Sequence, residues 1–108
     1  MTIKSKRIHL IEKDHKNRLT MVAGKIWESG CWNIPQATAK KLLEGSIFFH
    51  EKPKAHSFFG GIIINFRIQR EGEFEGLVIF TFEYQADHRG VVAEVGGWGK
   101  NMKIVVKK

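Results

Sequence analysis

Residues 50–60 read His-Glu-Lys-Pro-Lys-Ala-His-Ser-Phe-Phe-Gly. This run holds two ammonium groups (Lys52, Lys54), two imidazoles (His50, His56), the Ser57 hydroxyl and two phenyl rings (Phe58, Phe59). Ammonium groups hold phosphate, and an aromatic face stacked on a base gains roughly 1–3 kcal/mol. The chemistry suggested is recognition of a ligand that is both anionic and flat. Phe58 and Phe59 are adjacent in an extended segment, so their rings point to opposite sides. One is expected in the core and the other, Phe58, toward a groove. A second run, Gly96-Gly97-Trp98-Gly99-Lys100, surrounds an indole with glycines and places a lysine beside it, the composition of an aromatic lid. The candidate ligand set is therefore Lys52, Lys54 and Lys100 for phosphate, Phe58, Trp32 or Trp98 for stacking, and Ser57 and His50 for polar contacts.

Other groups read as structural. Gly99-Lys100 is followed by Asn101, and Glu94 stands where a phosphate-binding loop needs glycine, so residues 94–101 are not such a loop. Cys31 has no histidine at a telling distance in sequence, and a buried thiol is the simpler reading. His9, His15, His50, His56 and His88 lack metal-site spacing, so no metal or other cofactor is expected. Asp87-His88-Arg89 looks catalytic, but neighbouring side chains seldom converge, and Asp-x-x-Gly at a strand end is ordinary turn chemistry. An alternative activity, a small hydrolase of nucleoside-like or amide substrates, requires a lysine beside a carboxylate, such as Lys52 with Glu51 or Lys25 with Glu28. A second alternative is an accessory protein-interaction domain that pairs through a strand edge.

The elements that position these groups follow from periodicity. Pro35 suits a first helical position, and Ala37, Ala39, Leu42 and Leu43 favour a helix over 35–44, with Gly45 as its stop. Ser46–His50 is a short strand that delivers the loop. Residues 61–69 and 76–85 are the best strands, and the polar connection 70–75 joins them as an antiparallel hairpin. Residues 6–13, 18–27 (interrupted near Ala23-Gly24 and broken off by Glu28-Ser29-Gly30) and 103–107 read as further strands, with 91–95 as another candidate. One early helix among hairpins predicts an α+β domain whose small curled antiparallel sheet closes, or nearly closes, into a pseudo-barrel plugged by the helix.

The chain has 108 residues, enough for one domain with its own core, and a single cysteine, so no internal disulfide can form. Its apolar runs are too short to span a bilayer, and the polar start has no signal-peptide core. A cytoplasmic protein, monomeric and without a membrane partner, is expected. The net charge is +7. Lys4, Lys6, Arg7, Lys13, Lys16 and Arg18 load one end, and Lys100, Lys103, Lys107 and Lys108 the other. If the first and last strands are neighbours, the two ends merge into one positive face that attracts phosphates.

The run Leu42-Leu43-Glu44-Gly45-Ser46-Ile47-Phe48-Phe49-His50, followed by the Lys52–Phe59 loop and the Gly61–Ile64 strand, resembles the PUA-like superfamily of PUA, ASCH and EVE domains. The resemblance covers about the middle third of the chain. It implies a small β-barrel that binds RNA, DNA or a modified nucleotide, with its cleft beside Lys52–Phe59. No catalytic residue is carried over.

Overall fold

A computed structural model describes residues 6–12, 19–93, 96–99 and 102–105. Strand β1 spans Arg7–Ile11, β2 Leu19–Ala23, β3 Ile26–Trp32, β4 Ser46–His50, β5 Phe59–Ile68, β6 Val78–Tyr84 and β7 Met102–Val105. Helix α1 covers Gln36–Lys41, and a single 3-10 turn covers Ala86–His88. The helix is shorter than 35–44. Its end is set by Glu44, which takes a left-handed φ of 70°. Gly45 answers a different demand: a Cβ there would lie 2.5 Å from the Lys6 carbonyl oxygen and 2.9 Å from that of Leu42. Residues 91–93 form no strand, and Glu94 and Val95 lie outside the described residues.

The strands form one seven-stranded sheet in the order β2-β3-β6-β5-β4-β1-β7. This corrects the expected fold class. The sheet is open, with β2 and β7 at its edges, and no pairing between them closes a barrel. It is also mixed, because β1 runs parallel to β4, from Arg7 opposite Ser46 to Ile11 opposite His50. A parallel pair needs a long crossover rather than a tight turn. Here the β2–β3 hairpin and α1 together supply that crossover, so one helix suffices.

Strand alternation gives the sheet two unlike faces. Ile8 and Leu10 of β1, Ile47 and Phe49 of β4, Ile63 of β5 and Val78, Phe80 and Phe82 of β6 are buried in one cluster with Trp32, and Ile34, Ala39 and Leu42 from in and around α1 complete it. Burying each large side chain of this kind contributes about 1.5–3 kcal/mol. The other face presents Arg7, His9 and Ile11 beside Ser46, Phe48 and His50, with Lys103 opposite His9. The 3-10 turn covers part of it. Glycine in β5 permits close approach of its neighbours: Gly60 has the Ile47 carbonyl of β4 and the His88 Cβ of the 3-10 turn where its own Cβ would stand, and Gly61 has the Glu83 carbonyl of β6.

Candidate functional site

The polar face carries three buried histidines, His9, His50 and His88. Phe48 lies between two of them: its ring stacks on His9 at a centroid distance of 4.8 Å and on His88, also at 4.8 Å. The stack crosses from β1 over β4 to the 3-10 turn, and Gly60 leaves the room that His88 needs.

Hydrogen bonding fixes the ring protons in the neutral state. His50 Nδ1 is 2.9 Å from the Ala55 carbonyl oxygen, which can only accept, so Nδ1 carries the proton and Nε2 is the acceptor. His9 Nδ1 lies 2.9 Å from that Nε2 and must donate to it. The relay therefore runs from His9 through His50 to the Ala55 carbonyl. Burial, then His50, Arg7 and Lys103, push the His9 pKa down to about 3. The His50 pKa is also lowered, by burial first and by His56, with the Ala55 carbonyl opposing. Both rings are held neutral at ordinary pH.

Trp98 covers this pair. Its ring meets His50 edge-on at 5.8 Å and His9 at 6.1 Å. The indole is half-buried. Lys103 Nζ donates to the Gly96 carbonyl, and the Gly99 N–H donates to the Met102 carbonyl at 2.7 Å, so β7 holds both ends of the Trp98 loop. The β1–β7 pairing has a further effect: it makes the first and last strands neighbours and brings Arg7 and Lys103 to either side of His9.

His88 makes a second chain. Its Nδ1 is 2.7 Å from Asp87 Oδ1, and its Nε2 is 2.9 Å from Ser46 Oγ. The carboxylate accepts from Nδ1–H, so Nε2 accepts the Ser46 proton. Adjacent Asp87 and His88 thus do converge, against the expectation from sequence. The order Ser-His-Asp has the connectivity of a nucleophile, base and orienting acid. Ser46, however, is 1 % exposed on a central strand, beneath the turn that holds its partner. A nucleophile needs a substrate carbon within reach. Here the chain fastens the 3-10 turn to β4.

The sequence candidates separate on this map. His50 and Trp98 meet. Lys52 and Lys54 are exposed on the loop that begins immediately after His50. Ser57 is buried and spent on structure: its hydroxyl donates to the His88 carbonyl at 2.7 Å and accepts from the Val91 N–H at 2.9 Å. Trp32 lies in the apolar core, its indole N–H donating to Ser29 Oγ at 2.9 Å. Phe58 and Phe59 are both half-buried and pack against that same core. Lys100 lies outside the described residues. Of the pairs required for a hydrolase, Glu28 is held by Arg67, at 3.0 and 3.1 Å, rather than by Lys25. That guanidinium keeps the Glu28 carboxyl below its usual range.

His9 and His88 were missed as site residues. The signal for His9 was its place between Ile8 and Leu10, which puts it on the face opposite theirs. No group of three or more His, Cys, Asp or Glu that could hold a metal occurs among the described residues. No described helix is long and apolar enough to cross a membrane. A hollow of about 770 Å³ lies elsewhere, along Phe66–Gly72. No known protein family, curated protein or solved structure matches the chain.

Proposed function

We propose that the protein is a small binding module for a nucleic acid or nucleotide-like anion, RNA, DNA or a modified nucleotide. Trp98 is the stacking surface, and Lys52 and Lys54 are the phosphate contacts. The observation that carries this reading is the position of Trp98 against His50, at the root of the loop that bears both lysines. Arg7 of β1 and Lys103 of β7 support it, since both cations act on His9 beneath Trp98 and add positive potential there. The resemblance of residues 42–64 to the PUA-like superfamily points to the same ligand class through its helix, strand and loop order, not through a closed barrel.

The neutral His9–His50 pair gives Trp98 a rigid, uncharged bed. Two imidazolium rings would repel each other and the neighbouring Arg7 and Lys103. The proposal is tested by fluorescence anisotropy of a labelled single-stranded RNA over a salt series. Two lysine–phosphate contacts give a slope of log affinity on log salt of about −1.4. The double substitution Lys52→Glu, Lys54→Glu should remove that slope, and Trp98→Ala should weaken binding about tenfold without changing it. A salt-independent affinity, or one untouched by all three substitutions, sinks the reading.

A further inference from the structure

The loop between β4 and β5 is pinned at both ends. At its start the Glu12 N–H donates to the His50 carbonyl at 2.8 Å. At its end the Ser57 N–H donates to the Val91 carbonyl and the Phe58 N–H to the Phe49 carbonyl, each at 2.8 Å. Between these pins Glu51, Lys52, Pro53, Lys54 and His56 are exposed, and Ala55 is half-buried. The Ala55 N–H donates to the Lys52 carbonyl at 3.0 Å, which makes residues 52–55 a β-turn with Pro53 second and Lys54 third. The fixed φ of proline suits that second position. Both lysines therefore belong to one turn, and its shape sets where their side chains leave the backbone.

An exposed turn holds its shape weakly, and many turns lack the closing bond altogether. A second bond ties this turn to the interior. His50 Nδ1 donates to the Ala55 carbonyl at 2.9 Å, and the His50 ring is fully buried. His9 holds that ring from its other nitrogen, through the His9 Nδ1–H on His50 Nε2 at 2.9 Å. Both nitrogens of the ring are thus engaged inside the protein. Trp98 meets the same ring edge-on at 5.8 Å, so one buried side chain underlies both the indole and the turn.

We propose that His50 is a positioning residue for Lys52 and Lys54: its Nδ1–H clamps the Ala55 carbonyl and fixes the turn that presents both ammonium groups. The inference rests on the reading of those lysines as phosphate contacts. His50 acts through Ala55 and not by touching the ligand. His9 stands one step further back, because it orients the ring that makes the clamp. A turn ordered in advance leaves less to be ordered when an anion binds, which favours affinity without adding a contact.

The experiment compares His50→Asn with His50→Gln. The Asn amide nitrogen stands where Nδ1 stood and can still reach the Ala55 carbonyl. Gln carries its amide at the position of Nε2, facing His9. Both variants lose the ring, so their difference reads the Ala55 bond alone. In the wild-type protein, couplings within the His50 ring should place its proton on Nδ1. Backbone order parameters, measured by NMR without RNA, should stay near 0.85 at Lys54 and Ala55 in His50→Asn and fall below about 0.6 in His50→Gln. Labelled RNA should then bind His50→Gln about fivefold more weakly than His50→Asn, as for a turn formed about a fifth of the time. A wild-type His50 proton on Nε2, or equal order in the two variants, overturns the proposal. A looser turn with equal RNA affinity also overturns it, since the turn then does not position the contacts. A turn that loosens in a protein binding no RNA upholds the clamp and overturns the binding reading instead.

Discussion

The two faces of this sheet solve burial differently. On the α1 face, Ile8, Leu10, Ile47, Phe49, Ile63, Val78, Phe80 and Phe82 exclude water with hydrocarbon alone. On the other face, His9, Ser46, His50, Ser57, His88 and Lys103 are equally out of solvent but polar. Hydrocarbon contributes in proportion to area and tolerates small rearrangements. Buried polar groups contribute little net and cost heavily if one partner is lost. The difference teaches where function can sit. An apolar face is a foundation. A face that keeps two imidazoles neutral beneath an indole holds charge, hydrogen bonds and an aromatic surface in reserve.

The largest effect should come from the foundation. Phe80→Ala should lower unfolding stability by about 3–5 kcal/mol in denaturant titration, because its fully buried ring has no room to be replaced. A cost below 1 kcal/mol would mean that the face is not the main core. Gly61→Ala should be nearly as damaging, although it adds only a methyl, since that carbon would stand 2.0 Å from the Glu83 carbonyl oxygen.

The polar face should answer to pH. His9 takes up a proton at its ordinary pKa of 6.5 when unfolded but only near 3 when folded. The unfolded state therefore binds more protons between those values, and stability falls as pH drops from 6.5 toward 3. The slope contributed by one such proton is about 1.4 kcal/mol per pH unit. His9→Gln keeps a donor for His50 Nε2 and removes the titration. It should flatten that part of the curve, and an unchanged curve would show that His9 is not the responsible group.

Ser57→Ala should cost about 1–3 kcal/mol, because the Val91 N–H loses its acceptor and the His88 carbonyl its donor. The smallest effect belongs to Glu28 and Arg67, whose side chains are 25 % and 55 % exposed. A double-mutant cycle should give a coupling of about 0.2–1 kcal/mol, because solvent screens the pair.

Much of this contrast is legible in alternating residues. Ser46, Phe48 and His50 stand one apart from Ile47 and Phe49, and period two alone places them on opposite faces. The antiparallel pairing of β5 with β6 follows from their patterns and the short polar connection. The open sheet does not. Closure depends on whether β2 and β7 meet, and neither strand carries a residue that says so. The parallel β1–β4 contact is equally hidden, since Arg7–Ile11 pairs with strands in both orientations. Trp32 and Trp98 differ in fate for a reason local sequence does not hold: Trp32 ends a strand that faces α1, whereas Trp98 lies over histidines from two other strands.

The most direct test of the proposed binding site is an NMR titration of isotope-labelled protein with a short single-stranded RNA at low salt. The account predicts shifts at the Trp98 indole N–H, at the amides of residues 51–56 and at the His9 and His50 rings, all fading as salt is added. An unshifted Trp98 indole at millimolar RNA, or shifts confined to the Phe66–Gly72 hollow, would contradict it.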